Sequence, residues 1–162
     1  PQLVEPVQSI GDRHGLEAGQ LTREITECVL MEDTELAVLQ RGALKKLGVQ
    51  IAIDDFGTGY SSLSYLRSFP VDVLKIDKSF TDTVAVDLEG ACFVQAILHL
   101  AQVLRVTTVA EGIEHEDQAV RLRELGCDMA QGFYFGRPAA DPIRGRTAHS
   151  SSGAKTPILE AS

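Results

Sequence analysis

Residues 36–55 read LAVLQRGALKKLGVQIAIDD, a segment in which a helical pattern passes directly into a β-branched run. Leucine and alanine recur at helical spacing until Gly48, and the apolar run 49–53 then ends in two acids, Asp54 and Asp55. A glycine after the last periodic residue is a typical helix stop, and β-branched residues favour strands. The stretch therefore predicts a helix followed by a buried strand with a polar end.

The same order of helix and strand recurs along the chain. The pattern predicts helices over 3–15, 36–47, 88–104 and 116–125, and strands over 21–26, 49–53, 71–76, 106–110 and 128–131. On the helix 88–104 the predicted inward residues are Phe93, Ala96, Ile97, Leu100 and Leu104. This alternation indicates parallel βαβ units with right-handed crossovers, in an open doubly wound sheet or in part of a (β/α)8 barrel.

The ends of the predicted strands favour the barrel. Each strand finishes with polar residues: Glu24 with Glu27, Asp54 with Asp55, Lys75 with Asp77, Glu111 with Glu114, and Gln131. In a parallel barrel the carboxyl ends of the strands meet at one mouth, where active sites of that fold lie. An open sheet would spread the same residues along a line.

Several carboxylates at one mouth would repel one another unless cations lie between them. Oxygen ligands without nearby histidine or cysteine favour magnesium or manganese over zinc or copper. Paired carboxylate sites of this kind support two-metal hydrolysis of phosphate esters. Lys75 would add a fixed positive charge to such a site.

The overall charge excludes one class of partner. The chain has 15 Lys and Arg against 23 Asp and Glu, a net charge of −8, which argues against binding of nucleic-acid polymers. The longest apolar stretch, 91–104, is too short to span a bilayer. Cys28, Cys92 and Cys127 lack metal-ligand spacing, so we expect buried, reduced thiols and a cytoplasmic domain, whether or not the parent protein is membrane-anchored.

Five motifs carry a family resemblance, in the order in which the family has them. They are EITE at 24–27, DDFGTGYSSL at 54–63, KID at 75–77, AEGIE at 110–114 and QGF at 131–133. Together they resemble EAL domains over residues 3–138. The resemblance implies a (β/α)8 TIM-type barrel and metal-dependent hydrolysis of cyclic di-GMP to pGpG in bacterial second-messenger signalling. The alternative is a degenerate or truncated EAL module that binds cyclic di-GMP or a protein partner without catalysis. A barrel acting on a small carboxylate is a more distant possibility.

The resemblance also implies a role for each matching residue. Its metal ligands are Glu24, Asp54, Asp55, Asp77 and Glu111, and its catalytic residues are Lys75, Glu111 and Gln131. Lys75 is similar to the lysine that orients the attacking water, while Gln131 and Asp55 would contact the substrate. Glu27, Gly57 and Gly59 resemble the glutamate and the glycine loop that it steadies. For Glu114, helix capping and a loop contact are equally good interpretations.

The resemblance further implies cofactors and partners. Two Mg²⁺ or Mn²⁺ ions would serve the reaction, and Ca²⁺ would inhibit it. We expect residues 1–138 to be the C-terminal part of an EAL domain, an incomplete barrel of about five βα units without the upstream Glu-Ala-Leu and asparagine strands. We expect a homodimer in the complete domain, sensory or diguanylate cyclase domains upstream, and a disordered tail over 139–162.

Overall fold

The computed structural model describes residues 4–27, 29, 42–59, 66 and 70–137. Its helices are α1 Val4–His14, α2 Lys78–Thr81, α3 Leu88–Leu104 and α4 Glu116–Leu125. Its strands are β1 Thr22–Thr26, β2 Gln50–Phe56, β3 Val73–Ile76, β4 Thr107–Ala110 and β5 Met129–Ala130. Residues 18–20 form a 3₁₀ turn and residues 42–47 are helical. The rest of the predicted helix 36–47, Cys28 and the predicted tail 139–162 lie outside the described residues.

The strands form one parallel sheet in the order β1-β2-β3-β4-β5. In β1 and β2, Ile25 lies opposite Ile53, and in β4 and β5, Ala110 lies opposite Ala130. The predicted parallel α/β architecture is confirmed. The strand β2 continues to Phe56, beyond its predicted end at residue 53, and Asp54 still pairs with Thr26 of β1.

The chain packs as two compact units, Pro1–Leu74 and Lys75–Ser162. In the first unit the core is built on β2, where Ile51, Ala52 and Ile53 are all buried. Burial of consecutive residues, which point to opposite faces, is the pattern of a strand covered on both sides, as in parallel sheets. Leu44 and Val49 add to this core.

In the second unit α3 supplies the core face. Asp87 caps its start by accepting the amides of Glu89 and Gly90, and Arg105 ends it in a left-handed conformation. Its buried apolar residues are Ala91, Val94, Ile97, Leu98 and Ala101. Both ends of this helix were predicted correctly, because the apolar periodicity stops where the caps lie.

The predicted inward face of α3 was wrong apart from Ile97. Phe93 is 53% exposed, Ala96 is exposed, and Leu100 and Leu104 are only half-buried. Apolar residues occur all around this helix, so their identity alone does not show which face meets the sheet. Small residues on the face actually buried, such as Ala91 and Ala101, allow close packing.

The thiols also differ from the prediction. Cys92 is exposed and Cys127 is half-buried, so neither is fully enclosed. Burial raises the pKa of the Cys127 thiol, which disfavours the thiolate form needed for nucleophilic chemistry. Within the described ranges, no helix combines the length and the apolar character that crossing a membrane requires.

Candidate active site

In the first unit, the strand register places two of the predicted ligands on one face. Glu24 lies opposite Ala52, and Thr26 lies opposite Asp54. Since alternate residues of a strand share a face and directly paired residues do too, Glu24 and Asp54 lie on the same side of this strand pair. Glu24 is exposed and Asp54 half-buried, whereas Ile25 and Ile53 on the opposite side are buried.

Asp55 departs from ordinary strand geometry. Its φ is 53°, in the left-handed region that non-glycine residues seldom adopt. Its carbonyl accepts bonds from the Thr58 amide at 3.3 Å and the Thr58 hydroxyl at 2.9 Å, which begins the turn after β2. Despite this shift, a carboxylate oxygen of Asp54 and one of Asp55 lie within 4.8 Å of each other. Backbone strain of this kind is common at functional sites.

Glu27 and the loop after β2 meet as the sequence predicts. Glu27 is 4% exposed, and its Oε2 accepts the amides of Gly57 and Gly59, each at 3.3 Å. A buried carboxylate that accepts two backbone N–H groups is stabilised, and it fixes the segment that carries them. The structure thus brings all three loop-stabilising residues of the prediction together.

In the second unit, three predicted catalytic side chains converge. Glu111 Oε1 lies 2.7 Å from Lys75 Nζ and accepts a 2.6 Å bond from Gln131 Nε2. Lys75 lies on β3, whereas Glu111 follows β4 and Gln131 follows β5, so the contact forms at the carboxyl ends of strands. The side chains of Lys75 and Glu111 are only 9% and 17% exposed. Largely removed from water, this pair places a fixed positive charge and a polarised carboxylate at the strand ends.

Asp77 lies where the sequence predicts, directly after β3, but one of its oxygens caps α2. Oδ1 accepts the Ser79 amide at 3.0 Å and also the Ser79 hydroxyl. An N-cap aspartate usually forms a side-chain bond of this kind to the start of its helix. Its predicted role as a metal ligand stays a prediction.

The segments after β4 and β5 are held against each other by backbone bonds. Ile113 donates to the Gln131 carbonyl at 3.0 Å, and Tyr134 donates to the Ile113 carbonyl at 2.9 Å. A Cβ at Gly132 would lie 2.2 Å from both the nitrogen and the oxygen of Ile113, so only glycine fits there. This approach fixes the backbone on either side of the Glu111 and Gln131 contact.

Glu114 forms an ion pair with the beginning of α2. Its Oε1 lies 3.3 Å from Lys78 Nζ, whereas the cap residue of α4 is His115. Gln118 accepts the amides of both Glu114 and His115, which satisfies donors at the helix start. Glu114 thus pairs with the first residue of α2, and the two interpretations left open for it stay predictions.

Thr81 forms a contact near the site that no sequence motif predicts. Thr81, at the end of α2, is fully buried, and its Oγ1 lies 2.6 Å from the Glu111 carbonyl oxygen. In the sequence, Thr81 is a threonine outside the five motifs. The partner is 30 residues away in the chain, so local pattern could not identify it.

The family model of the EAL domain matches residues 1–138. The chain belongs to the EAL domain family. A curated relative is the bifunctional diguanylate cyclase/cyclic di-GMP phosphodiesterase MucR of Pseudomonas aeruginosa, 45% identical over 136 residues. The match covers 84% of this chain but 20% of that protein, so the chain spans about a fifth of the length of this relative.

Solved structures of EAL proteins have the same fold. The PaMucR phosphodiesterase in its c-di-GMP complex matches with a TM-score of 0.78 and 45% identity, over 84% of this chain and 55% of that one. Klebsiella pneumoniae BlrP1, solved as a manganese/cy-diGMP complex, matches with a TM-score of 0.79 and 31% identity, over 85% of this chain and 35% of that one. The EAL resemblance predicted from the five motifs is therefore confirmed.

Proposed function

We propose that the EAL domain to which this chain belongs hydrolyses cyclic di-GMP to linear pGpG with Mg²⁺ or Mn²⁺. The observation that carries the proposal is the cluster of Lys75, Glu111 and Gln131, where a lysine and an amide both contact one carboxylate oxygen at the strand ends. The match to MucR, whose name includes cyclic di-GMP phosphodiesterase, supports the substrate. The manganese/cy-diGMP complex of BlrP1 supports a divalent ion.

The donor set fits hard divalent cations. The residues that would hold the ions are all carboxylates: Glu24, Asp54, Asp55, Asp77 and Glu111. Oxygen-only donors of this kind suit magnesium and manganese. When bound, the ions would activate water and offset charge on the phosphoryl oxygens.

The chain's own residues account for positioning and charge. Lys75, buried and held by Glu111, would present its ammonium to the anionic phosphodiester and to the attacking water. Because this charge is already in place, little reorganisation is needed as negative charge develops in the transition state. Gln131 would orient the Glu111 carboxylate and the substrate through its amide.

Within the first unit, the loop over 57–59 would support the strand that bears the two aspartates. Glu27 fixes this loop through the two glycine amides, and the loop continues directly from the strand that bears Asp54 and Asp55. We propose that Glu27 thereby keeps the two aspartates in the conformation that binds metal. Asp55 would also contact the substrate, as the family resemblance implies.

The proposal is tested with the purified protein as its gene encodes it. Cyclic di-GMP is incubated with Mg²⁺, Mn²⁺ or Ca²⁺ after chelation of bound metal, and pGpG is measured by liquid chromatography. Mg²⁺ and Mn²⁺ should support turnover, whereas Ca²⁺, which prefers longer bonds and more ligands, should inhibit it. Binding of cyclic di-GMP without pGpG in any metal would instead establish the non-catalytic module. Turnover with Ca²⁺ equal to that with Mg²⁺ would refute the two-metal geometry.

The same preparation tests two further predictions. We expect a homodimer, which light scattering would reveal as twice the mass of one chain. The sensory or cyclase domains predicted upstream would be read directly from the gene. Both stay predictions of the family resemblance.

A further inference from the structure

Thr81 is a fully buried polar residue to which the proposed reaction gives no role. Its Oγ1 lies 2.6 Å from the Glu111 carbonyl oxygen and 3.0 Å from the Lys78 carbonyl oxygen. A hydroxyl has a single proton to donate, and the shorter distance assigns it to Glu111. The Lys78 carbonyl belongs to the same short helix, so the bond to Glu111 is the one that joins separate segments.

That bond falls where regular pairing stops. β4 ends at Ala110, so Glu111 is the first residue after the strand. Its amide donates to the Ile76 carbonyl at 3.0 Å, and its carbonyl accepts from Thr81. The next residue, Gly112, has a φ of 70° and turns the chain away. Thr81 therefore bonds the Glu111 carbonyl directly after the end of the strand.

The orientation of this peptide determines where the Glu111 carboxylate lies. Oε1 meets Lys75 at 2.7 Å and Gln131 at 2.6 Å, so a small rotation of the backbone would lengthen both contacts. Charge-assisted bonds of this length weaken quickly with displacement. Both described bonds of the Thr81 hydroxyl go to backbone carbonyl oxygens, so Thr81 acts on the three side chains through the Glu111 backbone.

We propose that Thr81 is a positioning residue that sets the Glu111 carboxylate for metal binding and hydrolysis. The inference rests on the proposed function of Glu111, but it can be tested without turnover. Partners that orient a metal ligand typically change metal affinity or activity by about 10- to 100-fold when they are removed. We expect a loss in that range when the hydroxyl is removed and the side-chain volume kept.

The experiment compares Thr81→Val with Thr81→Ser in the protein as its gene encodes it. Valine keeps the volume and loses the hydroxyl, whereas serine keeps the hydroxyl and loses a methyl group. Mn²⁺ affinity is measured by paramagnetic resonance of free Mn²⁺, with kcat and KM for cyclic di-GMP alongside. Thr81→Val should lower Mn²⁺ affinity and kcat by about 10- to 100-fold with little change in KM, and Thr81→Ser should restore most of the loss.

Thr108→Val is the matched control. Thr108 is also a buried threonine, at the other end of β4, and its hydroxyl bonds Asp128 at 2.8 Å. Its loss should lower the melting temperature without changing Mn²⁺ affinity or kcat. Equal losses in Thr81→Val and Thr81→Ser, or equal losses in Thr81→Val and Thr108→Val, would overturn the positioning role.

The Mn²⁺ titration separates the two proposals. If the wild-type protein binds Mn²⁺ but forms no pGpG, the proposed function fails while the affinities of the Thr81 variants still decide the inference. If the wild-type protein binds no Mn²⁺, Glu111 is not a metal ligand and both proposals fail.

Discussion

Two lysine–carboxylate pairs of nearly equal length lie at opposite ends of the strands. Lys75 meets Glu111 at 2.7 Å beside the carboxyl ends of β3 and β4, whereas Lys45 meets Asp72 at 2.6 Å just before β3 begins. The first pair is 9% and 17% exposed, and both members of the second are 30% exposed. Distance alone does not distinguish them, but burial and the additional partners do.

At the amino ends the carboxylates bind backbone. Asp72 also accepts the Ile51 amide at 2.8 Å, and Asp128 accepts the Thr108 amide at 2.9 Å. In both cases an aspartate just before one strand bonds the beginning of its neighbour. Glu111 instead accepts from the side chains of Lys75 and Gln131. The aspartates at the amino ends thus connect neighbouring strands. The glutamate at the carboxyl ends instead contacts side chains that can act on a ligand, as expected for a barrel.

The largest effect should come from breaking the carboxyl-end pair. Lys75→Met removes the buried charge, and loss of a charge stabiliser of this kind typically costs about a hundredfold or more in kcat. Lys45→Met is the control, because its pair with Asp72 is more accessible to water than the Lys75 pair and lies away from the carboxyl ends of the strands. Steady-state kinetics and thermal denaturation of both variants would check this. An unchanged kcat in Lys75→Met, or an equal loss in both variants, would remove the distinction between the two ends.

A third lysine, Lys78, has the partners Asp82 and Glu114, which are acids outside the strands. We expect a smaller effect when these ion pairs are broken. The bond to Asp82 raises the pKa of Lys78 above its ordinary value of 10.5. A raised lysine pKa stabilises the fold while the group is charged in both states, and this contribution disappears as the pH rises through the folded-state pKa.

We therefore expect Lys78→Met to lower the free energy of unfolding at neutral pH by up to about 1 kcal/mol, since the side chain is 44% exposed and screened by water. The deficit should disappear above the raised pKa. Urea titrations of the wild type and the variant at several pH values would measure it. A deficit that grows with alkaline pH would contradict the sign of the shift.

The sequence predicted the fold well because the decisive signals are local. The bounds of α3 and α4 follow from periodicity and from stops such as Gly126, and the five motifs place the site residues at strand ends. The inward face of α3 could not be derived, since apolar side chains on all faces leave the choice to packing. Asp72, Thr81 and Asp128 went unrecognised because their partners lie 20 to 30 residues away.

Within the second unit the two ends of β4 can be compared by isosteric change. Glu111 follows the strand and contacts Lys75 and Gln131, whereas Asp128 bonds Thr108 at its beginning. Glu111→Gln and Asp128→Asn each replace a carboxylate with an amide of the same shape. Neither change alters side-chain volume, so any difference reports what the charge does at each end.

The most direct measurement therefore compares these two variants. For Glu111→Gln and for Asp128→Asn, both kcat for cyclic di-GMP and the free energy of unfolding are determined. Glu111→Gln should lower kcat by about a hundredfold or more, and it should also destabilise the fold because the buried Lys75 loses the negative charge of Glu111. Asp128 is exposed, so Asp128→Asn should lower stability by only about 0.5 to 1.5 kcal/mol, as for an ordinary hydrogen bond, and leave kcat near that of the wild type. If Asp128→Asn instead reduces kcat as much as Glu111→Gln does, the assignment of chemistry to the carboxyl ends of the strands is wrong.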